Sequence, residues 1–123
     1  MAFSVKIKES SKELTAKERI AIKDTTNAIK LDKATMEGNV TIDPAYFAVL
    51  NVHNDKATPP DYDNFVLVDV DGTKYVTGSQ SFWNAFMDIY TEMEGEDEAY
   101  SIEVYRAPSK NYAGKDFLTC TII

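Results

Sequence analysis

Apolar residues recur at every second position in several separate stretches of this chain, and at steps of three and four in one. Phe3, Val5 and Ile7 alternate with polar neighbours, as in a half-buried strand. Thr15-Ala16-Lys17-Glu18 has capping-box spacing and predicts a short helix through Ile20 and Ile22. Ile20/Ile22 and Ile29/Leu31 also alternate, so a strand pair turning at 25–27 competes with that helix. The run from Val40 to Val52 is interrupted only by Asp43-Pro44. It reads as one bent strand or as a strand followed by a helix beginning at Pro44, and the β-branched and aromatic content of 46–52 favours strand. Residues 53–64, with Pro59-Pro60 and mostly polar neighbours, read as an exposed loop.

The clearest signal is the pair of β-rich runs 65–70 and 73–77 on either side of Asp71-Gly72. It predicts a two-stranded hairpin over 65–77 with a type I′ turn, which needs positive φ at both central residues. Ser79 or Ser81 then caps a helix over 80–94. Its Phe82, Phe86, Ile89, Tyr90 and Met93 share one face, Trp83 lies beside them, and Gly95 stops it. These aromatic residues are expected in the core. Period two resumes at Tyr100, Ile102 and Val104, a loop follows around Pro108 and Gly114, and the chain closes on a strand from Phe117 to Ile123.

From Val40 onward the order is strand, loop, hairpin, helix, strand, loop, strand. The expected fold is mainly β with one main helix (α+β): an OB-fold-like five-stranded antiparallel barrel, with an N-terminal extension. A helix packed on an antiparallel sheet of another topology accounts for the same elements. With 123 residues the chain is expected to be a single domain, 1–39 being a basic extension packed on an OB-like core of 40–123. No apolar run approaches the ~18 residues that span a bilayer, and the alternating start lacks the apolar core of a secretory signal. A cytoplasmic location is expected.

Charge changes this picture by its distribution. The net charge is −7, but residues 1–33 hold eight Lys/Arg against five Asp/Glu, residues 34–104 two against fourteen, and residues 105–123 three against one. The ends are basic and the middle acidic, so overall acidity does not exclude an anionic partner. Within 105–117 three cations, Arg106, Lys110 and Lys115, stand among three rings, Tyr105, Tyr112 and Phe117. Cations attract a phosphate backbone and rings stack on unpaired bases. Lys74 and Tyr75 on the predicted hairpin complete the candidate nucleic-acid-binding set of Lys74, Tyr75, Tyr105, Arg106, Lys110, Tyr112, Lys115 and Phe117.

Signals for chemistry are weak by comparison. His53 is the sole histidine and has no partner by spacing, and Cys120 alternates with threonines like a small core residue. Asp69-x-Asp71 does not make a calcium loop, because Gly72 is fourth and the twelfth residue is Gln80. No catalytic residue, metal or cofactor is expected, and the chain is read as non-catalytic.

In its hairpin, helix, Arg106–Lys115 loop and final strand, the segment from Phe65 to Ile123 resembles the small single-stranded DNA-binding proteins of OB-fold type encoded by bacteriophages and mobile elements. The resemblance implies non-catalytic holding of unpaired DNA during replication or recombination, with homo-oligomerisation left open. Many such proteins carry an acidic C-terminal tail that recruits partners, whereas this sequence ends in Cys120-Thr121-Ile122-Ile123. A rival reading rests on the acidic middle. Glu92, Glu94, Glu96, Asp97 and Glu98 crowd around the predicted helix end, where the macrodipole disfavours negative charge, and so form a candidate partner-binding patch. On that reading the chain is an interaction protein, for instance a DNA mimic that inhibits a host nuclease or defence protein.

Overall fold

The computed structural model describes residues 3–96, 98–109 and 115–123. Eleven elements follow in order: β1 (Phe3–Ser10), α1 (Ala16–Lys23), β2 (Ile29–Lys30), α2 (Leu31–Ala34), β3 (Val40–Ile42), β4 (Pro44–Asn54), β5 (Asp61–Asp69), β6 (Lys74–Thr77), α3 (Gln80–Met93), β7 (Ile102–Pro108) and β8 (Asp116–Ile122). The fold is α+β and mainly β. Its strands form a five-stranded sheet ordered β1-β4-β5-β6-β2 and a three-stranded sheet ordered β3-β7-β8. The expected closed barrel is therefore corrected, because among the described residues the strands lie in two separate sheets. The physical reason is visible at Asp43. The long apolar run breaks there, so that β3 pairs with β7 while β4 pairs with β1 and β5.

The chain divides into two compact units, one of residues 1–29 and 45–78, the other of 30–44 and 79–123. In the first, the capping box forms as its spacing predicts. The Thr15 hydroxyl accepts from Glu18 N–H at 3.2 Å, and Glu18 Oε1 accepts from Thr15 N–H at 2.9 Å. This settles 16–23 as helix rather than strand and turns Ile22 inward. Ile22 and Leu14 pack on Ala48, Leu50, Val66, Val68 and Val76, with Val5, Ile7, Ala28 and Tyr46 partly buried around them. Ile22 is 1% exposed, a burial that contributes roughly 1.5–3 kcal/mol.

The hairpin β5–β6 pairs Val66 with Val76 and Val68 with Lys74. Its turn is not type I′. Among the described residues none other than glycine has positive φ, Gly72 has φ +91°, and Gly72 N–H donates to Asp69 O at 2.9 Å while Asp69 N–H donates to Thr73 O at 2.9 Å. The loop is thus a tight turn closed by one left-handed glycine. Two aspartates impose it: Asp69 Oδ1 accepts from Asp71 N–H and Asp71 Oδ1 from Thr73 N–H, which holds Asp71 at negative φ.

In the second unit Ser79 caps α3, its hydroxyl accepting from Phe82 N–H at 3.2 Å. Phe82, Trp83 and Phe86 are buried as expected, with Trp83 and Phe86 ring centroids 5.3 Å apart. Gly95, at φ +89°, follows the C-cap Glu94 and ends the helix. The helix runs along β8, and the Ser81 hydroxyl donates to Leu118 O at 2.8 Å. Ile42, Ile102 and Val104 are fully buried in the adjoining ladder.

Candidate nucleic-acid interface

Of the eight described residues in the cation and aromatic stretch, six are strand rather than loop. Tyr105–Pro108 belong to β7 and Asp116–Phe117 to β8, and only 109–115 connect them. Alternation then decides which side chains can act together. Arg106 lies opposite Leu118 and shares its face with Val104 and Cys120; Tyr105 lies opposite Thr119, and Ala107 opposite Phe117, on the other face. Val104, Leu118 and Cys120 are buried, whereas Tyr105 and Thr119 are half-buried and Phe117 is 40% exposed. Tyr105 and Phe117 are diagonal neighbours across the ladder, within mutual reach for aromatic side chains. Glu103 continues the same face, with Asn39 Nδ2 donating to its Oε1 at 3.2 Å.

Arg106, by contrast, is committed to the fold. Its Nε donates to Thr35 Oγ1 at 3.1 Å, Nη2 to the Asp32 carbonyl at 2.5 Å, and Nη1 to Asp116 Oδ1 at 3.1 Å. The planar fork thereby ties the short helix α2 to β7 and closes the mouth of the β7–β8 hairpin. Lys74 has a similar fate in the other unit. Its Nζ donates to the carbonyls of Ala21 and Asp24, at 2.7 and 2.8 Å, where α1 ends and the macrodipole favours a cation. Two of the four cations expected to meet phosphate, Arg106 and Lys74, thus hydrogen-bond within the protein. Tyr75 lies opposite Leu67 on β5 and is half-buried.

Lys115 is exposed at the end of the connection, and its carbonyl accepts from Ser109 N–H at 2.9 Å. Lys110 and Tyr112 lie outside the described residues, as does Asp97 of the acidic run. Glu92, Glu94, Glu96 and Glu98 are all exposed. The described members of the candidate set are divided between the units: Lys74 and Tyr75 belong to the first, and Tyr105, Arg106, Lys115 and Phe117 to the second.

Sequence reasoning missed the surroundings of His53. Its Nδ1 lies 2.8 Å from Asp61 Oδ1 and its Nε2 lies 2.6 Å from Asp55 Oδ1. Asp61, then Asp55, pushes the imidazole above its ordinary range by hydrogen bonding to its charged form. A carboxylate within hydrogen-bond distance of each ring nitrogen favours the imidazolium form. The aspartates two and eight residues downstream are the signal that spacing rules for catalysis overlook. Cys120 is buried as expected, and burial pushes its thiol up to about 12. Among the described residues no group of three or more His, Cys, Asp or Glu is arranged to hold a metal, and no helix is long and apolar enough to cross a membrane. No known protein family, curated protein or solved structure matches the chain.

Proposed function

We propose that this chain is a non-catalytic single-stranded DNA-binding protein, acting in phage or mobile-element replication or recombination, that stacks bases on the outward face of the β7–β8 hairpin. The observation that carries the reading is the placement of Tyr105 and Phe117 as diagonal neighbours on the face opposite the buried Val104, Leu118 and Cys120. Aromatic rings on a strand pair, flanked by the small side chains of Ala107 and Thr119, suit flat bases without selecting among them. Lys115, exposed at the hairpin end, supplies attraction for phosphate.

The fold supports the reading through its order of elements. A bent first strand (β3–β4), a hairpin (β5–β6), a helix and a second hairpin follow one another as in a partly open OB-fold, with the first strand pairing with a strand of each hairpin. On that mapping the connection between the last two strands belongs to the binding surface. Because Arg106 and Lys74 hold the protein together, affinity rests on stacking more than on charge. Titration of a fluorescent thymidine oligonucleotide by anisotropy at two salt concentrations tests this. Tyr105→Ala and Phe117→Ala are each expected to weaken binding by ~1–3 kcal/mol with little change in salt slope. Absence of binding by the wild type at low salt, or indifference to both substitutions, overturns it.

The exposure of Glu92, Glu94, Glu96 and Glu98 favours a second reading, in which the acidic end of the second unit meets a protein partner.

A further inference from the structure

The apolar stripe of α3 is only half used by the core. Phe82, Trp83 and Phe86 are buried, but a turn further on Ile89 and Met93 remain half-buried, and Ile122 of β8 is 45% exposed. These three side chains floor a groove of about 430 Å³, and the exposed carboxylates of Asp88 and Glu92, four residues apart on α3, form its rim. The volume lies in the range of ligand sites, and an apolar floor with a charged rim is the layout of a recognition groove.

The field over the groove is negative from two sources. The chain has no Lys or Arg between Lys74 and Arg106, and the exposed Glu94, Glu96 and Glu98 follow the rim. The last turn of α3 has no basic residue, so the negative end of its dipole adds to these carboxylates. Such an arrangement works against the helix on its own, and a cation brought to this end would relieve it. The same field selects the occupant. Nucleic acid and anionic lipid surfaces are repelled, and a second copy docked groove to groove would set acidic rim against acidic rim.

We propose that this groove docks a basic amphipathic segment of a partner protein, whose aliphatic side chains enter the floor of Ile89, Met93 and Ile122 while Lys or Arg residues one helical turn apart meet Asp88 and Glu92. The inference rests on the acidic-surface reading and uses no residue of the Tyr105–Phe117 face. Its chemistry is that of helix-in-groove recognition, apolar anchors supplying affinity and rim charges supplying selection.

The test uses a fluorescein-labelled amphipathic leucine–lysine peptide, with leucine–glutamate and serine–lysine peptides as controls. Binding by leucine–lysine alone is expected, with amide shifts at Ile89, Glu92, Met93 and Ile122 in the NMR spectrum of the labelled protein. The double change Asp88→Asn, Glu92→Gln is expected to weaken it about tenfold, as two partly exposed ion pairs imply. Ile122→Ser should weaken it several-fold at unchanged salt dependence. Tyr105→Ala should leave peptide affinity unchanged, so loss of oligonucleotide binding and loss of peptide binding are separable results. Equal binding of the serine–lysine peptide, indifference to both groove variants, or self-association that Ile122→Ser abolishes would each overturn the proposal.

Discussion

Changing Arg106 to lysine keeps the positive charge and removes the fork, which separates a structural cation from a phosphate ligand. The guanidinium spreads three bonds over three partners: Thr35 Oγ1, the Asp32 carbonyl and Asp116. An ammonium at the end of a flexible stem can retain one of them. Hydrogen bonds from a charged donor contribute ~1.5–3 kcal/mol each, and the exposed pair with Asp116 at most ~1 kcal/mol. The Arg106 side chain is 22% exposed and its freed partners regain some water, so the two bonds to α2 are discounted. The net expected loss for Arg106→Lys is about 2–3 kcal/mol, or roughly 10 °C in Tm for a chain of this size. Urea denaturation and thermal melts followed by circular dichroism measure it. Lys115→Ala is the contrasting change, expected to leave stability within ~0.5 kcal/mol and to lower the salt slope of single-strand binding by about 0.7. If Arg106→Lys melts like the wild type and binds the oligonucleotide as the wild type does, the assignment of Arg106 to the fold is refuted.

Lys74→Met removes the ammonium from the end of α1 and is expected to cost about 1 kcal/mol without altering oligonucleotide affinity; an affinity loss at unchanged stability would contradict it. The two carboxylates raise His53 above its unfolded value, so its contribution is complete below about pH 6.5 and is lost as pH rises through the folded value. Urea midpoints of the wild type should therefore fall on the alkaline side of that value by more than those of His53→Gln, and parallel profiles would count against the double ion pair. Cys120, pushed up to about 12, should resist a thiol reagent at mildly alkaline pH in the native protein and react once urea unfolds it. Fast native labelling would place it outside the core.

What was legible in the sequence was local. Thr15 with Glu18, Ser79 before Phe82 and Gly95 after Met93 are decided by neighbours within a turn, and the helices begin and end where these residues indicate. The hairpin over 65–77 was equally plain, although its turn geometry depended on where two aspartate side chains would bond. The candidate site was less legible because its composition mixed two faces. Tyr105 and Phe117 point one way and Arg106 the other, a separation that follows from period two once 105–108 is recognised as strand. Two of the three partners that occupy Arg106 lie more than seventy residues away along the chain, as the partners of Lys74 lie some fifty away, and no short-range pattern announces these. The groove beside α3 was hidden for the same reason, since its floor joins a helix to the closing strand.

The division of each compact unit into two separated segments has a consequence for synthesis. Residues 1–29 find their complement by Gly78, so β1 can take its place on β4 while the rest of the chain is still being made. Residues 30–44 have no such early complement. Ile42, fully buried in the finished protein, pairs with Ile102, and β7 in turn with β8, so this strand must wait until residues 102–122 have been translated. During that interval β3 is an unclaimed edge. A ribosome stalled far enough beyond Gly78 to expose residues 1–78 would therefore display a protease-resistant first unit interrupted by a cleavable 30–44, and extension through β8 would silence that cleavage.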